Sequence, residues 1–225
     1  LFSDEFVYGE TEEKGEKFDT KQFIQTFKIP GVWIMATLMF GYVTTSAVAS
    51  YLTPYSTSVL GLSAVAAASI GTLRTYGCRF LGGPIGGFIA DKAFHSVCKE
   101  QMLGHVLCIL GIGVFLVLPS GTPTILIALF LILVGVFMFT VKGTTFSVQP
   151  ELGIPLHISG SAVAIATLIG YLPDMFVHTM FGNWIDRYGN DGYTKIFLYG
   201  MTIAAICVAV AFAGVLVSRK KKGES

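Results

Sequence analysis

Long apolar stretches alternate with short polar connections along the chain from residue 31 to residue 217. A stretch of about 20 apolar residues spans the hydrocarbon core of a membrane as a helix, and the alternating pattern of barrel strands does not occur here. Because only helices and closed barrels span membranes, the pattern predicts an all-α membrane protein with six transmembrane helices. The predicted helices are 31–51, 63–90, 102–118, 124–146, 158–181 and 196–217.

A short motif closes both the second and the fifth predicted helix. Each copy begins with glycine and carries an aspartate followed by a basic residue: Gly87, Asp91 and Lys92 in one, Gly182, Asp186 and Arg187 in the other. Counting back twelve residues from each aspartate aligns Arg79 with Asp174. The chain is therefore predicted to contain one three-helix unit twice, in residues 30–118 and 119–217.

The two motifs are separated by an odd number of predicted membrane crossings, so equivalent loops face opposite sides of the membrane. This arrangement is an inverted repeat of three helices plus three, which is typical of secondary transporters. The alternative is chance recurrence, because short motif matches carry a false-positive rate.

Composition agrees with a membrane protein and argues against several other classes. Hydrophobic residues make up 53% of the chain, charged residues 13%, and the mean hydropathy is +0.69. A soluble domain carries about twice that charge. A net charge of +1, without a basic face that contains aromatic residues, predicts no nucleic-acid partner. Four scattered cysteines and isolated histidines predict no metal site, and no cofactor is expected.

The distribution of basic residues predicts the orientation, since lysine and arginine are retained on the cytoplasmic side. With six crossings, both ends of the chain lie on one side. The bases on that side are Lys14, Lys17, Lys21, Lys28, Lys92, Lys99, Arg219, Lys220, Lys221 and Lys222. Only Arg187 and Lys195 fall on the other side. Both termini are therefore predicted to be cytoplasmic, residues 1–29 as a linker and 218–225 as a basic tail.

Two segments carry a resemblance to a known family. Residues 82–92, read as GGPIGGFIADK, resemble the loop signature that follows the eighth of twelve helices in the major facilitator superfamily. Residues 170–174, followed by Gly182 and Asp186, are similar to the eleventh helix of that superfamily. Residues 93–96 lack the glycine and paired bases expected after Lys92. The resemblance implies helices seven to twelve of a transporter, with a gating and structural role for the residues Gly83, Gly87, Asp91, Lys92, Gly182, Asp186 and Arg187.

The resemblance also implies a missing N-terminal six-helix half as partner, with residues 1–29 as the linker between the halves. Membrane lipid surrounds such a protein, and a bacterial cytoplasmic membrane is the expected location. A natural six-helix half that pairs with itself or with another chain is the alternative.

Four charged residues fall inside predicted helices, where charge is costly and marks a transport pathway: Arg74, Arg79, Lys142 and Asp174. At a rise of about 1.5 Å per residue, Arg79 and Asp174 each lie about 18 Å from their motif aspartate, close to the midplane. Arg79 either binds a substrate anion or pairs with Asp174. Asp174 is then an ion-pair switch, or else the group that carries a coupling proton.

The remaining candidates surround the same region. Arg74 is a further candidate for binding the substrate. It lies five residues from Arg79, so the two guanidiniums point more than a quarter turn apart, and one faces the cavity while the other faces a neighbouring helix. Tyr42 belongs to a polar patch of the first helix and is a candidate for lining a cavity, and Lys142 either contacts the substrate or extends to the interface. Because arginine binds carboxylate, phosphate or sulfonate in bidentate fashion, a small organic anion is the expected substrate.

Three functions are compatible with these features. Half of a secondary transporter that works by alternating access is the prediction. A six-helix scaffold or assembly partner without transport is the alternative. A membrane-embedded enzyme would need convergent His, Asp or Glu clusters, which the sequence does not contain.

Overall fold

The computed structural model describes residues 24–223, so the predicted linker up to residue 23 and the last two residues of the predicted tail lie outside the described part. Within that part the chain is helical and contains no strand, which confirms the all-α prediction. The helices are α1 (Pro30–Ser58), α2 (Ala64–Thr72), α3 (Cys78–Phe88), α4 (Val97–Val117), α5 (Thr124–Thr144), α6 (Ser159–Gly170), α7 (Val177–Tyr188) and α8 (Asp191–Gly223).

Two of the long segments are irregular in their middle. A π-helical turn, Leu73–Gly77, joins α2 to α3, and a 3-10 turn, Leu172–Met175, joins α6 to α7. The first contains Arg74, and the second contains Asp174. Further short turns are the π-helical segment Ile89–Phe94 after α3 and the 3-10 turns Thr145–Val148 and Leu156–Ile158. The predicted second and fifth helices are therefore both interrupted near their charged residues.

Five helical segments are long and apolar enough to cross a membrane: Pro30–Ser58, Val97–Val117, Thr124–Val148, Leu156–Tyr188 and Asp191–Lys220. They correspond to five of the six predicted crossings. Residues 64–94 form a helical stretch of sufficient length but do not belong to this set. Arg74, Arg79, Asp91 and Lys92 make this stretch less apolar. Its crossing, and with it the repeat of three plus three, stays a prediction.

Helix packing places α1 and α5 at the centre of the described bundle. The helix α1 packs mainly on α6 and α8, α5 packs mainly on α3 and α4, and α4 also packs extensively on α8. When α2–α3 and α6–α7 are each taken as one span, α1 packs on the α6–α7 span as α5 packs on the α2–α3 span, and α1 packs on α8 as α5 packs on α4.

Glycines bring α3 and α5 into backbone contact. A Cβ atom on Gly82 would lie 2.4 Å from the Phe139 Cβ, and one on Gly143 would lie 2.5 Å from the Gly83 Cα. A Cβ on Gly86 would lie 2.8 Å from the Thr140 carbonyl oxygen. Real side chains do not fit at these distances, so small residues at helical spacing determine how closely the two helices approach.

We predict that Gly82→Ala destabilises the protein, since the added methyl group meets the backbone of α5. Overpacking of this kind costs about 1–3 kcal/mol. The control is Gly87→Ala on the same helix, because no atom lies within 4 Å of a Cβ at that position. The control variant should gain about 1 kcal/mol of stability, because alanine has a higher helix propensity than glycine. Thermal unfolding in detergent measures both variants, and equal melting temperatures would contradict the contact.

Candidate functional site

A cavity of about 400 Å³ lies among α1, α3, α5 and α6. Its wall is mainly apolar and aromatic, formed by Met39, Phe139, Phe146 and Tyr171, with the backbone of Gly83 and Gly143 between them and Thr167 on the α6 side. Two basic side chains, Arg79 from α3 and Lys142 from α5, complete the lining. The close glycine contact between α3 and α5 therefore brings two predicted site residues into one cavity.

The two basic residues differ in their surroundings. The Arg79 side chain is exposed, while Lys142 is half-buried. The Lys142 Nζ lies 5.3 Å from the centroid of the Tyr42 ring, which is the geometry of a cation–π contact. No carboxylate belongs to the lining of this cavity. The charged side chains that line it are therefore all positive.

Tyr42, a candidate for lining a cavity, lies under the Lys142 ammonium group but does not line this cavity itself. Its side chain is buried, and it interacts electrostatically with both Arg79 and Asp174. Asp174 is exposed in the 3-10 turn between α6 and α7, where its N–H donates to the Tyr171 carbonyl oxygen at 3.1 Å. Within the described residues, Arg79 and Asp174 do not come within the 4.0 Å of a salt bridge. In this conformation Tyr42 is near both charges, and the charges are not paired with each other.

Arg74, which was expected beside the substrate, does not line this cavity. It is only 6% exposed, and its Nη1–H donates to the Ala49 carbonyl oxygen on α1. Its aliphatic part packs on α5, where a Cβ on Gly135 would lie 2.5 Å from the Arg74 Cγ. The π-helical turn thus directs Arg74 between α1 and α5, while Arg79 points into the cavity.

Most motif residues lie at the ends of the bundle. Asp91 and Lys92 are exposed on the π-helical segment after α3, and Asp186 and Arg187 are exposed near the end of α7. A Cβ on Gly87 or on Gly182 would meet no atom within 4 Å. Only Gly83 of this set reaches the cavity. The structure therefore does not bring the two motif copies together.

A carboxylate that the sequence analysis passed over caps α4. The Ser96 hydroxyl donates to Glu151 Oε1, and the Cys98 N–H donates to Glu151 Oε2 at 2.9 Å. Glu151 follows the 3-10 turn Thr145–Val148, so the contact ties the end of the α5 segment to the start of α4. A negative charge with backbone donors is stabilising at a helix N-terminus.

A second group that was missed is a buried polar cluster between α4 and α5. Glu100, Gln101, His105 and Thr144 are each at most 3% exposed. The Thr144 hydroxyl donates to Glu100, and the Gln101 amide donates to the Thr144 hydroxyl and to the Val141 carbonyl oxygen, both at 2.7 Å. The predicted third helix began at residue 102, which left Glu100 in a loop. With the helix starting at Val97, the Glu100 carboxyl group lies in the first turn of an apolar span.

Histidine, cysteine and carboxylate side chains do not assemble into a metal centre in the part of the chain that the structure describes. All four cysteines are buried and unpaired by disulfides.

Residues 3–220 match the family described as sugar (and other) transporter. The chain belongs to this family, within the major facilitator superfamily. It is 29% identical over 216 residues to inner membrane protein YqcE of Escherichia coli (strain K12), a match that covers 95% of this chain and 50% of YqcE. It is 25% identical over 189 residues to inner membrane protein YihN of the same organism, covering 83% of this chain and 43% of YihN.

The chain is also similar to the uncharacterized protein MG294 homolog of Mycoplasma pneumoniae. The two are 27% identical over 213 residues, which is 90% of this chain and 45% of the relative. The chain thus spans about half the length of the curated relatives that it matches. Family membership confirms the resemblance read from the two motif segments and makes this a membrane protein of a transporter family.

We predict that removing the Glu151 cap lowers stability. Loss of a capping side chain costs about 0.5–2 kcal/mol, so Glu151→Ala should lower the melting temperature in detergent. Asp191→Ala is the matched control, since Asp191 is an exposed acid in the first turn of α8. The melting temperature of the control variant should fall less, because an exposed charge at a helix end contributes only about 0.3–1 kcal/mol to stability. Equal losses would contradict a specific role for Glu151.

Proposed function

We propose that this chain forms the C-terminal half of a secondary transporter that moves a small organic anion across a bacterial cytoplasmic membrane. The observation that carries the proposal is the shared cavity of Arg79 and Lys142, which no carboxylate lines. A bound anion contacts both basic side chains there, and no carboxylate in the lining repels it. The planar guanidinium of Arg79 suits a carboxylate, phosphate or sulfonate group.

The rest of the lining favours a cargo with an apolar body. Apart from the two basic residues, hydrogen-bonding side chains are limited to Thr167 and Tyr171, whereas Met39, Phe139 and Phe146 offer apolar surface. A site that selects a sugar by its hydroxyl groups needs several hydrogen-bonding side chains. Such a site rejects ligands without those hydroxyl groups, because its own polar groups are then left unpaired. An anion attached to a compact apolar or aromatic group fits this wall better than a polyhydroxylated sugar.

An inverted repeat supports transport by alternating access. The spans pair equivalently in the two predicted units, since α1 packs on the α6–α7 span as α5 packs on the α2–α3 span. The interruptions of the second and fifth predicted helices, at Leu73–Gly77 and Leu172–Met175, also fall near equivalent positions. Discontinuous helices at a site between repeats are typical of secondary transporters, which rock one unit against another. Because the chain spans half the length of its relatives, a second six-helix half would supply the opposite wall.

Asp174 has a place in this cycle. It lies exposed beside the cavity, and Tyr42 interacts with both it and Arg79. We infer that Asp174 and Arg79, which are not paired in this conformation, form an ion pair in another conformation of the cycle, which is the switch expected from the sequence. A scaffold without transport has no use for a cavity of this charge, so the transport function is preferred.

A set of three ligands tests the cargo class on the full-length protein in detergent. Phenyl phosphate carries a phosphate group on an aromatic ring, glucose 6-phosphate carries one on a sugar, and glucose carries none. The three ligands therefore separate the contribution of the anionic group to binding from that of the apolar ring. We expect phenyl phosphate to raise the melting temperature most, glucose 6-phosphate less, and glucose not at all, since a ligand stabilises in proportion to its affinity. Equal stabilisation by glucose and phenyl phosphate would overturn the proposal.

Two arginine variants locate the binding site. Arg79→Met should weaken phenyl phosphate binding at least about tenfold, because a charge-assisted bidentate contact is lost. Arg74→Met is the matched control, since Arg74 lies on the same helical stretch but outside the cavity. Phenyl phosphate affinity should be unchanged in the control. Equal losses in the two variants would show that net charge, rather than the cavity, determines binding.

Cysteine labelling tests the repeat. Ala93→Cys and Asn190→Cys place exposed thiols beside the two motif copies, and the four native cysteines are buried. In oriented vesicles, a membrane-impermeant thiol reagent should reach residue 93 only from the cytoplasmic side and residue 190 only from the outer side. Labelling of both positions from one side would exclude the inverted topology.

A further inference from the structure

We propose that Glu100 is a proton-binding site, separate from the cargo cavity, that controls the helix carrying Lys142. The protonation part of this inference stands on the buried cluster alone. Its effect on transport rests on the proposed function.

The carboxyl group of Glu100 is buried without an opposite charge. Its side chain is 2% exposed, and its hydrogen-bond donors are the Thr144 hydroxyl and, at 3.4 Å, the Gln101 amide. Both donors are uncharged. An ionised carboxylate in such a place is costly, and addition of a proton removes the charge. Ionisable groups inside a membrane protein are rare for this reason and are kept for a function.

The cluster around Glu100 lacks donors for two of its acceptors. The Gln101 amide gives its two N–H groups to Thr144 and Val141 and shares one of them with Glu100 at the longer distance, which fixes its orientation and leaves Gln101 Oε1 buried without a partner. The His105 Nδ1 lies 2.8 Å from the Gln101 carbonyl oxygen and therefore carries the hydrogen, so its unpartnered Nε2 is also an acceptor. A protonated Glu100 would bring an O–H donor next to the Gln101 amide, where one is missing.

The cluster is joined to the wall of the cavity through α5. At the end of this helix the Thr145 N–H bonds to the Lys142 carbonyl oxygen, so the Val141 carbonyl oxygen loses its usual helical donor. Gln101 and the Thr145 hydroxyl replace that donor, each at 2.7 Å. Val141 and Thr144 thus face α4, while Lys142 and Gly143 between them line the cavity. A change in the hydrogen bonds of Gln101 acts on the turn that positions Lys142.

Other charged and titratable groups on the surrounding elements have different partners or are exposed. Lys142 lies over the Tyr42 ring, Glu151 binds the start of α4, and Cys207 on α8 donates to the Thr37 carbonyl oxygen. Cys108, further along α4, interacts with Glu100. The exposed groups are Asp91, Lys92, His95, Arg219 and Lys220, and Lys99 is half-buried. In the described part of the chain, no basic group stabilises the ionised form of Glu100.

The proposed step is a reversible proton transfer. The Glu100 carboxylate takes one proton from the aqueous phase and becomes a neutral acid, and the proton returns to water when the carboxylate forms again. Thr144 then no longer donates to a charged acceptor, and Glu100 gains an O–H donor beside the Gln101 amide. Movement of one proton with the cargo offsets one negative charge of the anion.

Infrared difference spectroscopy tests the proton site without any cargo. Acidification of the full-length protein in lipid should produce a carbonyl band of a protonated carboxylic acid. We expect this band to disappear in Glu100→Gln, which is neutral and of the same shape, and to persist in Glu151→Gln. A band that persists in Glu100→Gln, or that disappears in Glu151→Gln, would overturn the assignment.

Transport in liposomes tests the coupling, with phenyl phosphate as the probe. In Glu100→Gln an inward proton gradient should no longer drive accumulation of phenyl phosphate, while exchange of phenyl phosphate across the membrane continues. Asp191→Asn is the control, because Asp191 is an exposed acid outside the cavity and the buried cluster, and it should keep gradient-driven accumulation. Accumulation that is lost in Asp174→Asn and kept in Glu100→Gln would assign the proton to Asp174 and overturn this inference. Failure of phenyl phosphate to bind the wild type would refute the proposed cargo, and the infrared result would still decide the proton site.

Discussion

The backbone contact between α3 and α5 is the constraint on which the site depends. Gly82, Gly86 and Gly143 leave no room for a side chain between the two helices. Because the helices meet at this distance, Arg79 on one and Lys142 on the other reach a single cavity. Larger residues at the glycine positions would separate the helices and with them the two positive charges. The glycines of the motif segment therefore act mainly on packing, and the packing produces the electrostatic character of the cavity.

The helix α5 has two faces with different chemistry. Lys142 and Gly143 line the cavity, and Val141 and Thr144 bond to the buried cluster of α4. The change from α-helix to 3-10 turn after Thr144 makes this possible, since it frees a carbonyl oxygen for Gln101. A polar network that is buried in this way holds its members in one arrangement, and a partly satisfied network is sensitive to the gain or loss of a proton. The cavity and the buried cluster thereby lie on opposite sides of one helix.

The two arginines show how local backbone geometry separates residues of the same type. Arg74 and Arg79 lie five residues apart, yet one bonds to the Ala49 carbonyl oxygen in the helix interface and the other reaches the cavity. Helical spacing predicted that they point in different directions. Their partners depend on the neighbouring helices and on the π-helical turn between α2 and α3, so helical spacing could not assign the structural and the cavity role.

The sequence by itself determined that the chain is all-helical and lies in a membrane, because apolar stretches long enough to span a bilayer leave few other structures. It also identified the family, since Gly82 to Lys92 and the segment around Asp174 carry recognisable motifs. Arg79, Lys142 and Tyr42 were found as candidates because charged and polar residues in apolar spans are conspicuous. Only the tertiary structure excluded Arg74 from the cavity and showed that Glu100 is buried. Both outcomes depend on which helices become neighbours, and this information is absent from the hydropathy of any single segment.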